Sequence, residues 1–135
     1  MAGYSGTPLP KKLGIKPGAR LLRVNAPDAL ERWLAPMPEG VRTVGPHEGQ
    51  ADVILFFTTQ AKELDARFPE LAARLNVAGG LWVGWPKKAA RVPTDLDENR
   101  VRAIGLAAGL VDNKVCAISE VWSGLRFVYR LKDRE

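Results

Sequence analysis

Trp85-Pro86-Lys87-Lys88 sets an indole beside two ammonium groups, a pairing that can stack on a base while its cations hold a phosphate. Thr58 and Thr59 close the apolar run ADVILFFT and precede a helical stripe. There the first free N–H groups of a helix and its dipole favour an anion. Asn25 ends a further apolar segment, ARLLRVN. In an open parallel sheet, ligands sit beyond the carboxyl ends of the strands, where the strand order reverses. Asn25, Thr58, Thr59, Trp85, Lys87 and Lys88 therefore form the candidate binding set, suited to an anionic small molecule or a nucleotide. The plain alternative makes Thr59 a helix cap and the lysines a solvated loop. Trp82 and Trp85, three positions apart on one strand, must face opposite sides of it, which sends one of them into the core.

Catalytic chemistry has less to work with. His47, in Gly45-Pro46-His47-Glu48-Gly49, stands beside a carboxylate and could serve as a general base, although an exposed loop histidine is the ordinary case. With one histidine and one cysteine, the chain can build neither a His-rich metal site nor an intramolecular disulfide. Cys116, within Val-Cys-Ala-Ile, reads as a buried, inert thiol. Ser5 is flanked by glycine but lacks the strand-turn-helix context of a nucleophile elbow. No catalytic residue, metal or cofactor is assigned, and a non-enzymatic binding or regulatory domain is the expectation.

The elements that must position these residues follow from the punctuation of the chain. Residues 1–18 are rich in Gly and Pro and read as an irregular arm with a short helical turn at Leu9–Leu13. Strands are predicted at Ala19–Asn25, Val41–Val44, Ala51–Thr58 and Leu81–Trp85, with Gly79-Gly80 closing the unit before the last of these. The continuous apolar run ADVILFFT marks a strand covered on both faces, hence central. Helices are predicted from Pro27-Asp28 to about Ala35, after Thr59, and from about Asp95 to Ala108 behind a capping box opened by Thr94. In the second helix Leu64, Phe68, Leu71 and Leu75 form the buried stripe, and Pro69 predicts a kink or break. Lys114–Ile118 and Leu125–Tyr129 read as an antiparallel hairpin turning at Ser123-Gly124. The result is one small α/β domain, Rossmann-like, with a mostly parallel sheet, helices on both faces and an antiparallel C-terminal hairpin.

Charge is uneven across the 135 residues: +5 over 1–26, −3 over 27–60, zero over 61–99 and +3 over 100–135. The net +5 suits an acidic partner, and nucleic-acid binding would need Lys11, Lys12, Arg126, Arg130 and Lys132 on one face. Spread as they are over arm and tail, these bases predict weak, sequence-independent binding. No apolar run approaches the roughly 20 residues of a membrane span, so a soluble protein in a reducing, cytoplasmic compartment is expected.

Leu13-Gly14-Ile15-Lys16-Pro17-Gly18-Ala19-Arg20-Leu21-Leu22 resembles the lead-in to the first strand of the S-adenosylmethionine-dependent methyltransferases. Asp52-Val53-Ile54-Leu55-Phe56 and, after a helix, Ala78-Gly79-Gly80-Leu81-Trp82-Val83 are similar to their fourth and fifth strands. Over nearly all of residues 3–130 the chain also resembles the small bacterial family catalogued as domain of unknown function 3052, through GYSGTPL, KKLGIKPG, PKK and GLVDNKVCAISEVWSGLRFV. Both resemblances imply a reduced methyltransferase-like fold. The departures bear on the cofactor. Where the methyltransferases have a Gly-rich turn, this chain has Asn25-Ala26-Pro27-Asp28. The acid expected at the end of the second strand is absent from Val41–Gly45, and only 45–50 stands where a third strand and helix belong. A transferase with a nucleotide-like cofactor in an unusual pose would have to use Asn25 and Glu48.

Overall fold

A computed structural model describes residues 7–45 and 47–134. Strands β1 (Arg20–Val24), β2 (Arg42–Thr43), β3 (Ala51–Phe57), β4 (Leu75–Pro86), β5 (Leu110–Ala117) and β6 (Trp122–Tyr129) make one sheet in the order β2-β1-β3-β4-β6-β5. The first four are parallel, and β6 runs antiparallel to both β4 and β5. Strand order reverses between β1 and β3, so β3 is central, as its unbroken apolar run requires.

Alternation along the strands builds two cores. Leu22, Ile54, Phe56, Leu81, Val83, Leu125 and Phe127 face helices α3 (Ala61–Ala72) and α4 (Glu98–Ala107). Leu21, Val53, Leu55, Phe57 and Trp82 face α1 (Leu9–Lys12) and α2 (Leu30–Trp33). The sheet is thus a mostly parallel Rossmann-like layer with helices on both faces and an antiparallel C-terminal end. The arm is anchored from Leu9 onward: Leu9, Leu13 and Ile15 are buried, and the Leu13 carbonyl accepts the Trp82 indole N–H at 2.9 Å.

Four local expectations are corrected. Strand β4 begins at Leu75, not Leu81, because Gly79 and Gly80 extend it instead of ending the preceding unit; a Cβ at Gly79 would stand 2.3 Å from the Asp52 carbonyl oxygen. Pro69 does not break α3: Asp65 and Pro69 both lie on the exposed side, where water can satisfy the Asp65 carbonyl that a proline leaves without an N–H partner. The N-cap of α4 is Asp97, whose Oδ1 accepts the Arg100 N–H at 2.8 Å, and Thr94 lies in the loop before it. The hairpin turns at residues 118–121, where Ser119 Oγ accepts two backbone N–H groups; Ser123 and Gly124 lie within β6.

Candidate functional site

The carboxyl ends of β1, β3 and β4 bring Asn25, Thr58 and Lys87 to one edge of the sheet, and the chain fills that edge itself. Thr58 is 4% exposed, and its hydroxyl donates to Glu63 Oε1 at 2.6 Å while accepting the Gln60 N–H at 3.2 Å. Asn25, held at φ 55°, donates its amide N–H to the other Glu63 oxygen at 3.1 Å. The left-handed backbone that Asn tolerates better than most residues turns its side chain onto the first turn of α3. The Arg67 guanidinium lies 3.8 Å from the same carboxylate. Glu63 therefore spans the gap between β1 and β3.

The helix N-terminus is filled as well. Thr59 is not the cap of α3: Gln60 holds that position without a side-chain bond, and the Ala61 N–H donates to Asp95 Oδ1 at 2.8 Å. The Thr94 hydroxyl donates to the Thr59 carbonyl at 2.6 Å, so the loop before α4 is stitched across the start of α3. An internal carboxylate thus occupies the place expected for an anion. Trp85 is 5% exposed and belongs to the α3/α4 core, so its ring has no free face for stacking. Lys87 donates its backbone N–H to the Val121 carbonyl at 2.7 Å, and Lys88 opens a 3-10 turn, Lys88–Ala90.

Glu48 does not join Asn25. Its carboxylate accepts the Gly45 N–H, and its carbonyl and that of Gly49 are held by Arg20 and Arg74 near the amino ends of β1 and β4. His47 lies exposed in the same loop. Ser5 and Tyr4 fall outside the described residues. Among the described residues no group of His, Cys, Asp and Glu could hold a metal ion, and no helix is long and apolar enough to cross a membrane.

Basic groups gather elsewhere, between α1 and edge strand β5. A cleft of about 550 Å³ is lined, among the described residues, by Thr7, Lys11, Lys12, Lys114, Val115, Cys116 and Ala117, which bring three ammonium groups to it. Lys114 Nζ donates to the Lys12 carbonyl at 3.1 Å, tying the basic N-terminal segment to the basic C-terminal one. Cys116 is half-buried beneath them. Burial pushes its thiol pKa up from the ordinary value, against an opposing pull from Lys12, Lys114 and Lys87. Sequence reasoning named Lys11 and Lys12 but missed Lys114 and the basic surroundings of Cys116. The signal was 102 residues long in separation and left no local pattern.

No protein-family model matches this chain, and no curated protein does. Solved structures do. Mitomycin 7-O-methyltransferase superposes with a TM-score of 0.64 at 11% identity, covering 84% of this chain and 49% of that one. Magnesium protoporphyrin IX methyltransferase from Synechocystis PCC 6803, with bound SAM, gives 0.62 at 12% identity over 90% of this chain and 74% of that one. The Methanococcus jannaschii fibrillarin pre-rRNA processing protein gives 0.54 at 13% identity over 94% and 70%. The fold is methyltransferase-like. At these identities the likeness carries no activity.

Proposed function

We propose that this chain is a non-enzymatic binding domain, built on a methyltransferase-like scaffold, that takes a small anionic ligand such as a nucleotide or other phosphorylated metabolite. The observation that carries the reading is the cleft lined by Lys11, Lys12 and Lys114, three cations gathered on one wall by the contact between Lys114 and the Lys12 carbonyl. The edge at which a scaffold of this kind would bind is occupied by Glu63 and Asp95, which supports binding in the lysine cleft in place of that edge. The cleft offers donors but no base, and its thiol is held protonated, which favours capture over turnover. On the same reading the chain is a member of the family catalogued as domain of unknown function 3052 and works in a reducing cytoplasm, as its lone cysteine suits.

Cys116, the sole cysteine, is a built-in reporter. Its alkylation by iodoacetamide should be slow at neutral pH and accelerate only as the pH climbs past the ordinary thiol range, because its ionisation is delayed by burial. At alkaline pH, millimolar pyrophosphate should slow the reaction relative to chloride of equal ionic strength. In the Lys12→Ala/Lys114→Ala variant that protection should vanish. Unprotected Cys116 in the native chain would remove the lysine cleft as the site.

A second reading, weak nucleic-acid binding, is favoured by the contact that brings Lys12 and Lys114 together. It predicts that duplex DNA also protects Cys116, with protection collapsing as salt rises because counterion release dominates such binding.

A further inference from the structure

Arg126 stands apart from the other half-buried arginines, while Arg32, Arg42 and Arg91, which have no carboxylate or carbonyl partner among the described residues either, are exposed. Arg23, Arg67 and Arg102 each meet a carboxylate, and Arg20, Arg74, Arg130 and Arg134 each donate to a carbonyl. Among the described residues Arg126 meets neither. On β6 its neighbours Leu125 and Phe127 point into the α3/α4 core, which turns Arg126 to the α1 face. There it lies across Gly80, where a Cβ would stand 2.3 Å from its Nε, so the missing side chain at Gly80 is what lets the guanidinium lie down. The group is half-buried, and the charge that acts on it most is another cation, Arg134. A guanidinium has five N–H donors and no acceptor role, and partial removal from water without a partner is costly.

This guanidinium borders a cleft of about 360 Å³ at the amino ends of β1 and β3, also lined by Lys16, Gly18, Asp52 and Gly79. Asp52 is the one acid in that lining, and both its oxygens are engaged: Oδ2 accepts the Arg20 N–H at 2.9 Å and Oδ1 accepts the Asn76 amide at 2.5 Å. Lys16 adds a second cation from the loop between α1 and β1, and the glycines leave the walls low.

We propose that the Arg126–Lys16 cleft is a second anion site, which takes the phosphate group of a small phosphorylated molecule on the Arg126 fork with Lys16 as the second cation. The planar fork matches two phosphate oxygens at once, and two positive charges suit a dianion. The site lies at the opposite end of the strands from Thr58 and does not depend on the lysine cleft.

The test is made in the Lys12→Ala/Lys114→Ala background, which removes the other cleft, by titrating inorganic phosphate against chloride at equal ionic strength. The readouts are the melting temperature and the Arg126 Nε–H resonance. Phosphate should shift both saturably. Arg126→Gln should abolish the melting shift without lowering stability in chloride, because it removes a half-buried cation that has no partner. Lys16→Gln, an exposed change, should weaken phosphate about tenfold, the loss of one charge-assisted contact. If Arg126→Gln does not fold, the Lys16→Gln titration and the native Arg126 resonance decide. An unmoved Arg126 resonance, or equal phosphate shifts with and without Arg126, would overturn the site. Binding of acetate but not phosphate would overturn the phosphate assignment. Cys116 protection reports only on the lysine cleft, so failure of either site is distinguishable from failure of the other.

Discussion

Glu63 shows how one side chain can redefine a strand edge. Its two oxygens take a hydroxyl from the end of β3 and an amide from the end of β1, joining the two strands between which the sheet order reverses. Thr58→Val keeps shape and volume but removes a buried hydroxyl that bonds an ionised group. It should cost about 1–3 kcal/mol, read as a lower urea midpoint with an unchanged slope. A midpoint equal to the native one would mean that the Thr58–Glu63 bond adds nothing to the fold. Thr58 and Asn25 were legible as edge residues because each ends an apolar run. Their shared partner was not, since an acid in the first turn of a helix reads simply as favourable to the helix dipole, and nothing local says that it reaches back to two strands.

At the scale of elements, the sequence carried most of the sheet because the apolar runs are continuous where strands are covered on both faces. It misjudged β4, whose first half holds half-buried Asn76 and exposed Val77 and Ala78 followed by two glycines, a composition that looks like a loop until Asp52 is seen pressed against Gly79. The start of α3 escaped for a related reason: its donor is satisfied by Asp95, 34 positions away, which no capping pattern within the helix can announce. That contact also joins α3 to the approach to α4. Asp95→Ala should cost about 1 kcal/mol, the usual worth of a lost cap, with hydrogen exchange at Ala61 and Lys62 rising before exchange in the rest of α3. The same variant frees the helix N-terminus, so phosphate should stabilise it more than it stabilises the native chain. Uniform exchange along α3 in both proteins would show that Asp95 does not hold the first turn.

At the scale of the whole molecule, scaffold and site have parted. The sheet order, the two packed faces and the antiparallel end are those of a methyltransferase-like domain, and the three solved structures compared above superpose on 84–94% of the chain. Yet the turn after β1 contains no glycine, carries Pro27 with no N–H to offer, and is bridged to α3 through Asn25 and Glu63. Lys11 and Lys12 meet Lys114 on the α1 face instead, because a parallel sheet closed by an antiparallel hairpin brings the C-terminal strands beneath the N-terminal helix. These two facts make opposite demands on a ligand screen. S-adenosylmethionine needs the β1 turn, and the free energy to evict Glu63 from Asn25 and Thr58 would come out of its binding. A ligand at 100 times its dissociation constant raises stability by about 2.7 kcal/mol, several degrees of melting temperature for a domain of this size. Millimolar S-adenosylmethionine should therefore leave the melting temperature where buffer leaves it, while pyrophosphate at the same concentration and ionic strength raises it. A clear upward shift with S-adenosylmethionine, retained in Lys12→Ala/Lys114→Ala and lost on Asn25→Ala, would return the site to the carboxyl edge and show that the Glu63 bridge opens.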